Sequence, residues 1–218
     1  MCGRYATALN QAEWSGLFPV GPGSLDIPEP RYNLAPTQGV PVIRDLAGER
    51  RLDQIRWGLV PAWAKSLTDV KHNLFNARAE TAAEKPSFRS AFKSRRCLMP
   101  ASGFYEWRTV DGVKQPYYIS RADGEPMVFA GLWEHWAKDG HELDSCTMLT
   151  TSANEFMREL HHRMPVILEA HEREIWLLEG PEEVLHPSPE GVLQAWPVSR
   201  AVGNVRNDSS SLLEPVSL

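Results

Sequence analysis

Cys2 follows Met1 directly and precedes Gly3 and Arg4. Once Met1 is removed, residue 2 carries a free α-amine and a thiol on neighbouring carbons. An amine condenses with an aldehyde, and a thiol one carbon away closes the resulting imine into a five-membered ring. An α-amine suits the first step near neutral pH because it titrates around 7.7–8.0, well below a lysine. The plain alternative is an inert thiol in the core, since free cysteine packs as a small hydrophobe.

Four other segments carry residues fit to assist. Phe75-Asn76-Ala77-Arg78-Ala79-Glu80 places an amide beside a planar guanidinium suited to phosphate. Read plainly, Asn76 caps a helix and Arg78 pairs with Glu80 or Glu84. Gly103-Phe104-Tyr105-Glu106-Trp107 sets a carboxyl between aromatics. Strand alternation puts Phe104 and Glu106 on one face, where apolar surroundings favour the protonated acid, a proton shuttle. His161-His162-Arg163-Met164-Pro165 offers an acid–base imidazole and an anion-binding arginine. Trp57-Gly58-Leu59-Val60-Pro61-Ala62-Trp63 presents aromatics that stack on bases or fill a core, Trp57 being the core candidate.

These residues need a scaffold. Gln11–Leu17 reads as a helix, followed by a Pro/Gly-rich loop from Pro19 to Pro30. Val40–Arg44, Arg51–Trp57, Arg96–Met99, Gly103–Arg108, Lys114–Ser120, Met127–Trp133, Ser145–Thr151 and Leu193–Val198 read as strands. Asp111-Gly112 and Asp123-Gly124 read as hairpin turns. Ala77–Ala83, a stretch around Phe88–Lys93, Asn154–His161 with Ser152 as cap, and His171–Leu178 stopped by Gly180-Pro181 read as helices. The expected architecture is a single α+β domain over 1–218, built on an antiparallel sheet or open barrel with short flanking helices.

Composition narrows the class. Seventeen prolines and fifteen glycines in 218 residues suit many short elements rather than a helical bundle. Cys2, Cys97 and Cys146 are odd in number and form no disulfide framework or paired zinc motif, which points to a reducing compartment. No apolar run reaches membrane-spanning length, so a cytoplasmic protein without membrane contact is expected. Adjacent histidines do not share a helix face, and no metal or cofactor is expected. The net charge of −5 counts against nucleic acid. Its distribution is less adverse: seven basic residues between Lys71 and Arg96 face only Glu80 and Glu84, while seven glutamates between Glu169 and Glu190 face only Arg173. Such runs are anion-attracting faces or simply solvated surfaces.

The segments Met1–Tyr5, Tyr32-Asn33-Leu34-Ala35-Pro36, Trp57–Trp63, Asn76–Arg78, Gly103–Trp107 and His161–Pro165 together resemble the SOS-response-associated peptidase family, in that family's order, from Cys2 to about Val205. The resemblance implies a sensor that captures abasic sites in single-stranded DNA as a covalent crosslink and removes its own Met1. It implies Cys2 as nucleophile, Asn76 as its positioning residue, Glu106 as acid–base and His161 as a further catalytic group. Arg4, Arg78 and Arg163 match phosphate-contacting positions, and Trp63 and Thr150 match further DNA contacts. It also implies a monomer acting on nucleoid DNA. Other readings of the same residues stay open. One is a peptidase or amidase using the processed Cys2, alone or with His161. The other is a non-covalent single-strand-binding module using Trp63 and the Lys71–Arg96 stretch.

Overall fold

Alternating apolar residues and glycine turns divide the chain into short strands, with a few helices between them. The computed structural model describes residues 2–17, 26–67, 70, 74–180 and 182–218. The first elements are β1 (Tyr5–Thr7), α1 (Gln11–Leu17), β2 (Arg31–Leu34), β3 (Gly39–Leu46), β4 (Glu49–Trp57), β5 (Asn76–Arg78), α2 (Ala79–Ala82) and α3 (Arg89–Ser94). There follow β6 (Arg96–Ala101), β7 (Gly103–Val110), β8 (Val113–Arg121), β9 (Met127–Lys138) and β10 (His141–Ser152). The chain ends with α4 (Glu155–Arg158), β11 (Arg163–Pro165), α5 (Ala170–Leu178), β12 (Leu193–Pro197) and single 3-10 turns.

The expected α+β class holds, and the barrel is closed. Strands β4, β3, β6 and β9 pair antiparallel in that order. Strand β10 pairs with β9 on one side and, in parallel, with β4 on the other, which joins the ends of the row. Closure leaves these strands without exposed edges. Val40, Val42, Trp57, Cys97, Met99, Phe129, Cys146 and Met148 fill the interior. Ile43, Leu52, Leu98, Ala130 and Leu132 point the other way and pack on Phe92 of α3 and Trp176 of α5. A second sheet, in the order β12-β8-β7-β1-β2, lies against the barrel through Tyr5, Phe104 and Ile119.

Gly103 allows the second sheet to form as it does. A β-carbon there would lie 2.4 Å from the Ile119 carbonyl oxygen and 2.5 Å from the Tyr118 ring. Only glycine permits that approach.

Several expectations are corrected. Asn76–Arg78 is a strand, and the helix begins at Ala79. Pairing with β10 overrides the alanine-rich helix signal. Helix α4 is four residues long and is capped by Asn154, which accepts from Met157 N–H at 2.9 Å, whereas Ser152 ends β10. Asp111-Gly112 does turn β7 into β8, but Asp123-Gly124 joins strands of different sheets. The hairpin between β9 and β10 turns instead at Asp139-Gly140, both with positive φ. Gly180, at φ 68°, follows the end of α5. Residues 19–25 of the expected loop, together with Lys71 and Pro181, lie outside the described residues. No helix among the described residues is long and apolar enough to cross a membrane.

Candidate functional site at the amino-terminal strand

Antiparallel pairing of β1 with β7, in the register Tyr5 to Phe104 and Ala6 to Gly103, brings the start of the chain alongside Glu106. Tyr105 N–H donates to the Arg4 carbonyl at 3.0 Å and extends that pairing toward Cys2. As alternation requires, Phe104 packs with Cys2, while Tyr105 and Trp107 turn to a separate cluster with Tyr118 and Val198. Behind Cys2 stands an aromatic wall: Tyr5 meets Trp57 edge-on at 5.1 Å and Phe129 at 5.9 Å, and Phe104 meets Phe129 at 6.0 Å. Trp57 is fully buried, as its core role requires.

Cys2 is 1% exposed, and its Sγ lies 3.5 Å from the Arg4 carbonyl oxygen. Burial pushes its thiol up, and the charge of Glu106 adds to that shift. Glu106 is itself buried, and burial holds its carboxyl above the usual carboxylate range. Residue 2 and Glu106 therefore favour their protonated forms together.

Asn76 completes this group. Its Nδ2 donates to the Cys2 carbonyl at 2.7 Å, and its Oδ1 is buried with no hydrogen-bond partner among the described residues. The pairing of β5 with β10, Asn76 opposite Met148 and Arg78 opposite Thr150, delivers it there. The strand pairing, not a helix cap, is the reason for its place.

His161 sits where the chain leaves α4 and enters β11. Its Nδ1 lies 3.0 Å from the Arg163 amide nitrogen and 3.1 Å from the Arg163 carbonyl oxygen. The ring accepts from that N–H when neutral and can donate to that carbonyl when charged, so both protonation states find a partner. Burial lowers its pKa. The His162 ring stacks on it at 4.3 Å, and the His162 charge acts on Glu106. The structure thus gathers Cys2, Asn76 and Glu106, with the His161–His162 pair beside them.

The expected DNA contacts divide. The Arg78 side chain is exposed and makes no hydrogen bond or ion pair among the described residues. Trp63 is 65% exposed and is held by its Nε1–H donating to the Pro86 carbonyl at 3.4 Å. Arg163 forms a bidentate pair with Glu80, at 2.6 and 2.8 Å, so Glu80 takes Arg163 rather than Arg78. Thr150 is fully buried; its carbonyl accepts from Arg163 at 2.6 Å, which makes it an internal support. Arg4 points away toward the C-terminal segment. It donates to Asn33 Oδ1 at 3.1 Å, to the Val202 carbonyl at 2.6 Å and to the Gly203 carbonyl at 3.3 Å. Two arginines of the basic stretch are engaged within the fold. Arg95 pairs with Glu134 at 2.8 Å, and Arg96 donates to the Trp176 and Leu178 carbonyls.

Asn33 was not singled out by the sequence reasoning. Its amide donates to the carbonyls of Val202, Asn204 and Asn207 at 3.1, 3.1 and 2.8 Å. Asp208 in turn accepts from the Tyr32 and Asn33 amides. The Tyr32–Pro36 motif was the available signal, because a buried amide in a strand demands partners.

A family model described as SOS response associated peptidase (SRAP) matches residues 1–205. Abasic site processing protein YoaM of Bacillus subtilis (strain 168) is 38% identical over 229 aligned residues, covering 98% of each chain. Abasic site processing protein YedK of Escherichia coli (strain K12) is 32% identical, covering 99% of this chain and 100% of its own. An X-ray structure of a protein from Bacteroides thetaiotaomicron matches with a TM-score of 0.87 at 24% identity, over 99% of this chain and 100% of that one.

Proposed function

This chain belongs to the SOS response associated peptidase family, and on that premise we propose that it captures abasic sites in single-stranded DNA through a thiazolidine at Cys2. The observation that carries the reading is the Cys2 carbonyl held by Asn76 beside the buried carboxyl of Glu106. The relatives' names supply the substrate class.

Removal of Met1 frees the α-amine of Cys2. The amine adds to the C1′ aldehyde of the opened sugar and gives a carbinolamine. Glu106, whose carboxyl burial raises above the usual carboxylate range, donates to the departing hydroxyl, and water leaves as the iminium forms. The Cys2 sulfur then bonds to that carbon, and its proton passes to the Glu106 carboxylate, which restores the acid. The sum is amine, aldehyde and thiol giving thiazolidine and water. Ring closure protects the strand, because an open imine promotes β-elimination.

Asn76 Oδ1 accepts from a donor of the reacting sugar or amine, a role supported by its lack of any other partner among the described residues. His161 serves protons on the phosphate side, with either ring state accommodated by Arg163. Arg78 and Arg163 draw in phosphates, and Trp63 stacks on a base. Arg4 acts from behind, bracing the strand that carries Cys2.

The test is intact mass after mixing with an abasic single-stranded oligonucleotide, which reports loss of Met1 and gain of the adduct together. Cys2→Ala should form no adduct; a heat-stable adduct in that variant refutes the assignment.

A further inference from the structure

We propose that Glu80 is an intramolecular stand-in for a DNA phosphate, occupying the Arg163 fork until a strand displaces it. The inference rests on the functional reading above and goes beyond it by assigning a role to a carboxylate within the proposed DNA surface.

Three observations carry it. The contact is a fork-to-fork pair, Nη1 to Oε1 at 2.6 Å and Nη2 to Oε2 at 2.8 Å, the geometry with which arginine takes carboxylate and phosphate alike. The guanidinium is also aimed by the fold, because Nη2 donates to the Thr150 carbonyl at 2.6 Å. Loss of Glu80 therefore leaves Arg163 pointing the same way. Finally, the two sides differ in exposure: the Arg163 side chain is 12% exposed and that of Glu80 is 48%. The anion reaches the fork from the solvent side, and it can swing back into water.

Arg78 stands two residues before Glu80, exposed, on the strand opposite Thr150. The charges of both arginines act at Glu80. A strand phosphate arriving at Arg78 is thus beside the carboxylate it must replace. The exchange trades one anion for another, so it adds little affinity for an intact strand. Retention then depends on the bond to Cys2, which only an abasic residue can form. Glu80 on this account limits binding to undamaged DNA.

The experiment measures binding of oligothymidylate across a salt series for the wild type, Glu80→Gln, Glu80→Asp and the double variant Glu80→Gln/Arg163→Gln. Glu80→Gln should bind about tenfold tighter at low salt, because no resident anion has to be displaced, and the gain should shrink as added salt screens the Glu80 charge. Glu80→Asp, too short to span both nitrogens from the same backbone position, should fall between it and the wild type. The double variant should lose the gain. Unchanged or weaker binding in both single variants overturns the proposal, as does a gain that survives loss of Arg163. A wild-type chain that forms no adduct with an abasic oligonucleotide of the same length overturns the functional reading itself.

Discussion

Asn76 donates its side-chain amide to the Cys2 carbonyl at 2.7 Å, across 74 residues of sequence. This bond fixes the backbone of residue 2 while leaving its nitrogen and sulfur to react. Asn76→Ala should slow adduct formation by about tenfold, the cost of one lost positioning hydrogen bond. Asn76→Asp should be worse, because it sets a carboxylate against a carbonyl. Time courses of adduct by denaturing electrophoresis decide this; unchanged rates would make the bond incidental.

Glu106 is the acid in the proposed mechanism, and burial raises its pKa. Rising pH frees the Cys2 amine but removes the Glu106 proton, so the rate of capture should pass through a maximum. Glu106→Gln should lower that maximum by about a hundredfold or more and abolish the alkaline decline. Binding to the strand should persist. Rate profiles of the two proteins over the same pH series make the comparison, and parallel profiles would remove Glu106 from the chemistry.

Trp63 is exposed and anchored at its indole nitrogen. Trp63→Ala should weaken single-strand binding by about tenfold, since stacking on one base is worth about 1–3 kcal/mol. The unfolding midpoint should hardly move. A large loss of stability with unchanged affinity would return Trp63 to a packing role.

Arg4 gives the opposite expectation. Its guanidinium serves the Asn33 side chain and two backbone carbonyls. Arg4→Met should cost about 2–3 kcal/mol, the scale of charged hydrogen bonds whose acceptors are left behind. Urea unfolding measures this, and a stability change near zero joined to lost DNA affinity would make Arg4 a phosphate contact.

His186 sets a pH dependence of stability. Its Nδ1 lies 2.9 Å from the Pro187 carbonyl and its Nε2 2.8 Å from Glu172. The Pro187 carbonyl, and then Glu172, raise its pKa above the ordinary histidine value. Stabilisation is therefore full below about pH 6.5 and is lost as pH rises through the elevated folded value. The thermal midpoint should fall by roughly 1–2 °C over that rise, the scale of a partly exposed pair. His186→Gln should flatten the change, and an equal fall in the variant would assign it elsewhere.

Local pattern carried much of this architecture. Asp111-Gly112 and the alternation through Gly103–Arg108 were sufficient to place Glu106 on the face it occupies. Asp123-Gly124 misled because a turn signal reports a reversal, not the partner of the next strand. The β9–β10 hairpin was hidden because its outer half, Glu134 to Asp144, is charged and mostly faces water. Ala77 and Arg78 of β5 read as helix because alanines crowd the stretch Ala77–Ala83, whereas the reason for the strand lies in β10. For the site, residue types pointed to Cys2, Asn76 and Glu106. What Arg4 and Arg163 touch depends on residues far along the chain, 198 positions away for the Arg4 bond to Val202.

That last bond has a consequence for synthesis. The segment bearing the nucleophile is buttressed by Val202, Gly203 and, through Asn33, by Asn204 and Asn207. A ribosome-bound fragment, or a product cut short before that stretch, lacks the anchor. On the proposed reading, Cys2 would be held ready for capture only once the residues through Asn207 have folded against its strand.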